Sequence, residues 1–223
     1  MDTLKNTTEF LKVICIPAER EIQLIAQDSV RGWRLANINS VVSKAKSLTD
    51  KESLSKGAYI DPKVGLSVLE NASSEENHEL QQMWAALLVS SISVNPNDDN
   101  LIYSNLLKQL TLHEARIVNF MCKNCDIRFT NNSRLPIING KSYFTKDFSD
   151  IVENHRVEYL ESLMAHIHSL SLNKLSWGHT GDIFRYSLKE DDYVTHLIPT
   201  PLCINLYIKC IGYRGNIYGY YNR

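Results

Sequence analysis

The sequence predicts a mainly α-helical fold, with a helical N-terminal part and a winged-helix-like α+β C-terminal part that contains one β-hairpin. Three observations predict it. Apolar residues recur at three- and four-residue steps through most of the chain, helix-start residues stand in front of several of those runs, and a single pair of short segments near residues 182–187 and 193–198 reads as strands around a charged turn.

After a polar lead, Pro17 opens a long helix through about residue 48, with Ile22, Ile25, Ser29, Trp33, Ala36 and Ser40 on one face. Residues 50–57 are charged and Ser-rich and form a connector. Asp61 and Pro62 then supply an N-cap and a first-turn proline for a short helix ending near Ala72. Ser73 with Glu76 fits a capping box, after which Leu80, Met83, Trp84, Leu87, Leu88 and Ser91 share one helical face. The Asn- and Asp-rich stretch around Pro96 is a turn. A helix over 102–110 follows, and Thr111 with Glu114 makes a second capping box for a helix to about Cys125.

Residues 126–145 hold Asn131-Asn132, Pro136 and Asn139-Gly140 and read mostly as loop. Helical periodicity returns over 148–170, through Ile151, His155, Tyr159, Leu163, Ile167 and Leu170. The hairpin comes next, and Thr200 with Pro201 starts a last helix that Gly212 ends. Helix, loop, helix, two strands, helix is a winged-helix-like order. It places a boundary between residues 1–110 and residues 111–223, the second part carrying a Tyr-rich tail.

A length of 223 residues suits one sizeable domain or two small ones, which need no disulfide staples. With 43% hydrophobic residues, 22% charged residues and a net charge of -1, the composition is that of a soluble globular protein without a global bias toward nucleic acid or acidic lipid. The charged N-terminus does not fit a secretory signal. The apolar run over 83–97 is shorter than the roughly 20 residues of a membrane helix and contains Ser90, Ser91, Ser93 and Asn95. The expectation is a cytoplasmic protein without a membrane span, whose five cysteines are reduced thiols.

No pattern of catalytic chemistry is complete. Cys122-Lys123-Asn124-Cys125 has a spacing used by zinc and redox sites, but zinc needs two more ligands, and buried structural thiols are the simpler reading. His113-Glu114 opens like a metalloprotease helix, yet Ile117 stands where the second histidine belongs. His166 and His168 point to different sides of a helix, and His155 with Glu158 or Glu161 lacks the matching set of a di-iron bundle. Gly212, Gly215 and Gly219 follow a helix and cannot cradle phosphate. No cofactor, metal ligand or catalytic residue is therefore assigned.

Candidate interaction residues lie elsewhere. Arg31, Trp33 and Arg34 set two cations beside a large aromatic, suited to stacking on bases or docking on an anionic surface, the alternative being an inward Trp33 with solvated arginines. In the tail, Arg214, Tyr218 and Tyr220 combine aromatic and cationic groups that either stack on single strands, fold back on the domain or mediate self-association. As a DNA reader the C-terminal part is poorly charged, because Glu153, Glu158 and Glu161 on its helix and Glu190, Asp191 and Asp192 on its hairpin repel phosphate.

Several segments carry a family resemblance. They are Arg34-Leu35-Ala36-Asn37, Pro62-Lys63-Val64, the run from Val68 to Ser73, Glu75-Glu76, Glu79-Leu80-Gln81, Met83-Trp84-Ala85, Leu87-Leu88, the run from Leu107 to Thr111, and Glu114-Ala115. Near the far end, Thr200-Pro201-Leu202 precedes Leu206-Tyr207 and Cys210, with Cys203 where a glycine is expected. In order and spacing these resemble the Abi-alpha family of abortive-infection proteins, most strongly over 34–117. The resemblance implies a role in bacterial defence against phage, by a route such as halting growth of the infected cell. It transfers no catalytic residue. The expected mode of action is protein–protein interaction, with protein partners or self-association. A nucleic-acid-binding protein using Arg31, Trp33, Arg34 and the tail is the alternative, and a nuclease-type enzyme assembled from His113, Glu114, His155 and Glu158 is a third.

Overall fold

A computed structural model describes residues 2–15, 29–49, 57–129, 136–144, 150–153, 156–174 and 194–222. The fold is mainly helical, with small antiparallel strand pairs in its C-terminal part. Its contacts divide it into two units: Met1–Gln109 with Ile208–Gly215, and Leu110–Tyr207 with Asn216–Arg223.

The first unit is built around α4 (His78–Ser90), against which α2 (Ser29–Leu48), α3 (Pro62–Ala72) and α5 (Leu101–Leu107) pack. Periodicity predicts one apolar face on α4, but residues 80, 81 and 83–90 are all buried. A helix apolar on nearly all sides is a core helix, and burial of Leu87 and Leu88 alone contributes about 1.5–3 kcal/mol each. Gln81 is the polar exception, and its amide is fully used. Its Oε1 accepts from Ser40 Oγ and Lys44 Nζ, both at 2.7 Å, and its Nε2 donates to Glu75 O at 2.8 Å.

Three expectations for this unit change. The polar lead contains a helix, α1 (Asp2–Ile14), which buries Thr7, Phe10, Leu11 and Ile14 at helical spacing. On α2 the buried stripe is Ile38, Val41, Val42 and Ala45, while Trp33 and Ala36 are exposed; the expected segment before Ser29 lies outside the described residues. Helix α4 is capped by Asn77, whose side chain accepts from Glu79 N and Leu80 N, and Ser73 instead closes α3. An Asn side chain reaching two adjacent amides serves the helix start better than a Ser four residues earlier.

In the second unit, α6 (Leu112–Asn124) starts at the expected capping box and packs against α7 (Val157–Ser169). Ile117, Val118, Leu160, Met164 and Ile167 are fully buried, as are Cys203 and Ile204 on α8 (Pro201–Cys210). The helix expected over 148–170 is interrupted, because Glu153 adopts a left-handed φ of 55° and α7 begins only after Arg156. The segment expected to be loop carries strands β1 (Asp126–Phe129), β2 (Pro136–Asn139) and β3 (Lys141–Phe144), with β1 and β2 paired antiparallel. Strand β4 (Val194–Leu197) pairs antiparallel with β3, and the hairpin arm expected at 182–187 lies outside the described residues.

Gly140 is the pivot between these ladders. The Asn139-Gly140 pair is not a hairpin turn here but the single-residue step at which the chain leaves one strand pair and joins another. A Cβ at Gly140 would lie 2.1 Å from Leu197 O and 2.7 Å from Ile198 Cα, so only glycine fits. Two helix ends share one closing motif. After α8, Gly212 takes φ 89° while Gly212 N bonds Lys209 O and Tyr213 N bonds Ile208 O. After α7, Ser171 does the same with φ 58°, through Ser171 N to His168 O and Leu172 N to Ile167 O.

Two substitutions test this reading. Gly140→Ala is expected to destabilise the second unit by about 2 kcal/mol or more, read by urea unfolding, since backbone must move to admit the methyl group. Ser171→Gly is expected to stabilise it by about 0.5–1 kcal/mol by relieving the left-handed conformation.

Candidate functional site

The candidate residues of α2 sit where that helix meets the α3–α4 corner. Trp33 is 43% exposed, and its indole Nε1 donates to Glu76 Oε1. Arg34 Nε donates to Ser73 Oγ at 2.8 Å, and Asn37 Nδ2 donates to Ser73 O at 3.0 Å. Ser73 is itself fully buried, and its hydroxyl donates to Glu70 O. The result is a surface tryptophan and a half-buried arginine held in place from below. Arg31 lies on the same helix.

On α6 and α7 the structure brings together residues that the sequence leaves unlinked. Glu114, 2% exposed, accepts from Thr111 N at 2.7 Å and Thr111 Oγ1 at 2.9 Å through Oε2, while its Oε1 meets His166 Nδ1 at 2.6 Å. Next to it, His113 Nδ1 meets the Tyr159 hydroxyl at 2.6 Å. The carboxylate thus performs two tasks, capping α6 and anchoring α7. His155 lies outside the described residues, and Glu158 is exposed on the first turn of α7. Of the four residues of the nuclease-type reading, His113 thus pairs with Tyr159 and Glu114 with His166. Among the described residues no three His, Cys, Asp or Glu side chains are grouped to hold a metal ion.

The Cys-x-x-Cys motif does not converge on itself. Cys125 Sγ turns to Cys122 O at 3.3 Å, and the Cys122 sulfur meets Cys203 on α8 at 3.5 Å. Burial, then the adjacent Cys203 thiol, raise the Cys122 pKa well above its ordinary value; burial pushes Cys125 up to about 11 and also raises Cys210. At neutral pH these groups rest as thiols, with only a small thiolate fraction.

The tail folds back. Helix α9 (Ile217–Tyr221) is capped by Asn216, whose side chain accepts from Gly219 N. Tyr218, 46% exposed, packs edge-on against Phe129, and Tyr220 does so against Tyr207 and Tyr221. In the first unit, Arg214 Nε donates to Val89 O at 3.2 Å, placing a cation on a terminal carbonyl of α4 where the helix dipole favours it.

A family model described as abortive infection alpha matches residues 34–200, three-quarters of the chain. The chain belongs to the abortive infection alpha family. No curated protein and no solved structure matches it. The family points to abortive-infection phage defence. In this abortive infection alpha protein the matched span opens on Arg34, which holds Ser73, and closes on Thr200. The Thr200 hydroxyl caps α8 by accepting from Cys203 N at 3.1 Å and donates to Ser171 O at 2.7 Å. No described helix is long and apolar enough to cross a membrane.

Sequence reasoning missed Glu76 as the partner of Trp33, His166 as the partner of Glu114 and Cys203 as the partner of Cys122. Each pair is separated by at least 43 residues, so no local spacing marks it. For the carboxylate a test follows. Thr111→Ala is expected to cost about 1 kcal/mol of unfolding free energy, and Glu114→Ala about 2–3 kcal/mol because it also strips His166 of its partner. Chemical denaturation of the two variants, compared with Thr111→Ala/Glu114→Ala, measures the coupling.

Proposed function

We propose that this abortive infection alpha protein acts in phage defence as a cytoplasmic interaction protein, and that the surface of α2 around Trp33 and Arg34 is its contact face. The observation that carries this reading is the exposed Trp33 with its indole N–H fixed on Glu76, beside an arginine fixed on Ser73. Tryptophan and arginine dominate binding energy at protein interfaces, and side chains already held in place lose little entropy on docking. Arg31 lies on the same helix.

Support also comes from how the other candidates are used. Arg214 is spent on the Val89 carbonyl and Tyr220 packs on Tyr207 and Tyr221, whereas the α2 face sets an exposed tryptophan directly beside an arginine. The family match supports the setting in phage defence. Self-association through this face is one form such contact takes.

The test is a plaque assay in cells carrying the gene, the gene deleted, or Trp33→Ala. Deletion is expected to restore phage plating across a panel of phages. Trp33→Ala is expected to reduce protection with the fold intact by circular dichroism, and to weaken capture of its partner by roughly tenfold or more. Unchanged plating on deletion overturns the defence role. Full protection by Trp33→Ala overturns the choice of face, and a low-salt gel shift abolished by the same substitution moves the face to nucleic acid.

A further inference from the structure

Cys122 and Cys203 lie side by side in the core of the second unit. They come from α6 and α8, are separated by 81 residues, are 1% and 0% exposed, and hold their sulfurs 3.5 Å apart. That is sulfur–sulfur contact, and a disulfide needs a further approach of about 1.5 Å. Cys125, the half-buried third thiol, points its sulfur at the Cys122 carbonyl and not at the pair. Around the pair, Tyr221 donates to Cys122 O at 3.4 Å and stacks edge-on with Tyr220, so the C-terminal helix covers the α6 side.

We propose that Cys122 and Cys203 are a latent disulfide, a redox-sensitive lock that ties α6 to α8 when the protein meets a peroxide. The chemistry balances with hydrogen peroxide as the oxidant. One thiol sulfur attacks the peroxide oxygen, the O–O bond breaks, and a sulfenic acid and one water form. The second sulfur then attacks the sulfenic sulfur; the S–S bond forms, the S–O bond breaks, and the departing hydroxide takes the second thiol proton as water. Two thiols lose two electrons and two protons, and one peroxide becomes two waters.

Burial sets the kinetics. With the Cys122 thiol held protonated, large charged disulfides exchange slowly, and a small neutral oxidant is required. Because the thiolate is the reacting form and its fraction grows with pH below the raised pKa, the rate rises toward roughly tenfold per pH unit above neutrality. Closing a loop of 81 residues restricts the unfolded chain, so the locked protein melts higher.

The experiment uses the folded full chain, treated with hydrogen peroxide, quenched, unfolded in an alkylating agent and weighed. Of five cysteines, three are expected to alkylate after oxidation and all five after dithiothreitol. Peptide mapping is expected to join Cys122 to Cys203, and the melting midpoint to rise by roughly 10 °C. Cys122→Ser and Cys203→Ala should each abolish the crosslink, whereas Cys125→Ser, which leaves the pair untouched, should keep it. Five alkylatable thiols after oxidation, a Cys122–Cys125 link, or sulfinic acid without a crosslink overturns the proposal.

Discussion

Burial of α4 on nearly all sides is the constraint on which the first unit depends. Once Leu80, Met83, Trp84, Leu87, Leu88 and Val89 leave water together, helices must cover the segment on several sides, and α2, α3 and α5 do so. Each polar group that goes under with them needs a partner. Gln81 finds three, and the helix start takes Asn77. At the other end Arg214, from the segment that returns after α8, takes the carbonyl of Val89. The Lys44 ammonium is drawn into the Gln81 network, and burial lowers its pKa accordingly.

Glu114 has the corresponding place in the second unit. A carboxylate this buried is tolerated because three polar groups share its charge: the backbone N–H and the hydroxyl of Thr111, and the imidazole of His166. The same residue that signals a helix start in the sequence thus also fixes a second helix. The surface tryptophan follows a similar logic at lower burial: Glu76 and Ser73, at the close of α3 and just beyond it, determine how Trp33 and Arg34 are presented.

The legible parts of the fold were those fixed by neighbours in sequence. Asp61 with Pro62, Thr111 with Glu114 and Gly212 after Cys210 mark helix ends because capping is chemistry within four or five residues. Strands β1 to β3 are not legible in the sequence, since asparagines, proline and glycine there are loop formers; β1 and β2 pair with each other, and β3 needs β4 some fifty residues on. Helix α1 reads as a polar lead in the sequence although Phe10, Leu11 and Ile14 share its buried face. The candidate site was half legible: Trp33 and Arg34 stand out by residue type, but nothing near them names Glu76 or Ser73.

The sequence by itself determined the helical class, most of the helix ends and the family, because these rest on spacing, local capping and the order of short motifs. Only the tertiary structure decided which side of α2 is buried, that Cys122 faces Cys203 instead of Cys125, and that Glu114 holds His166. Those outcomes depend on contacts between residues tens of positions apart, where burial free energy and hydrogen-bond satisfaction in three dimensions outweigh any local pattern.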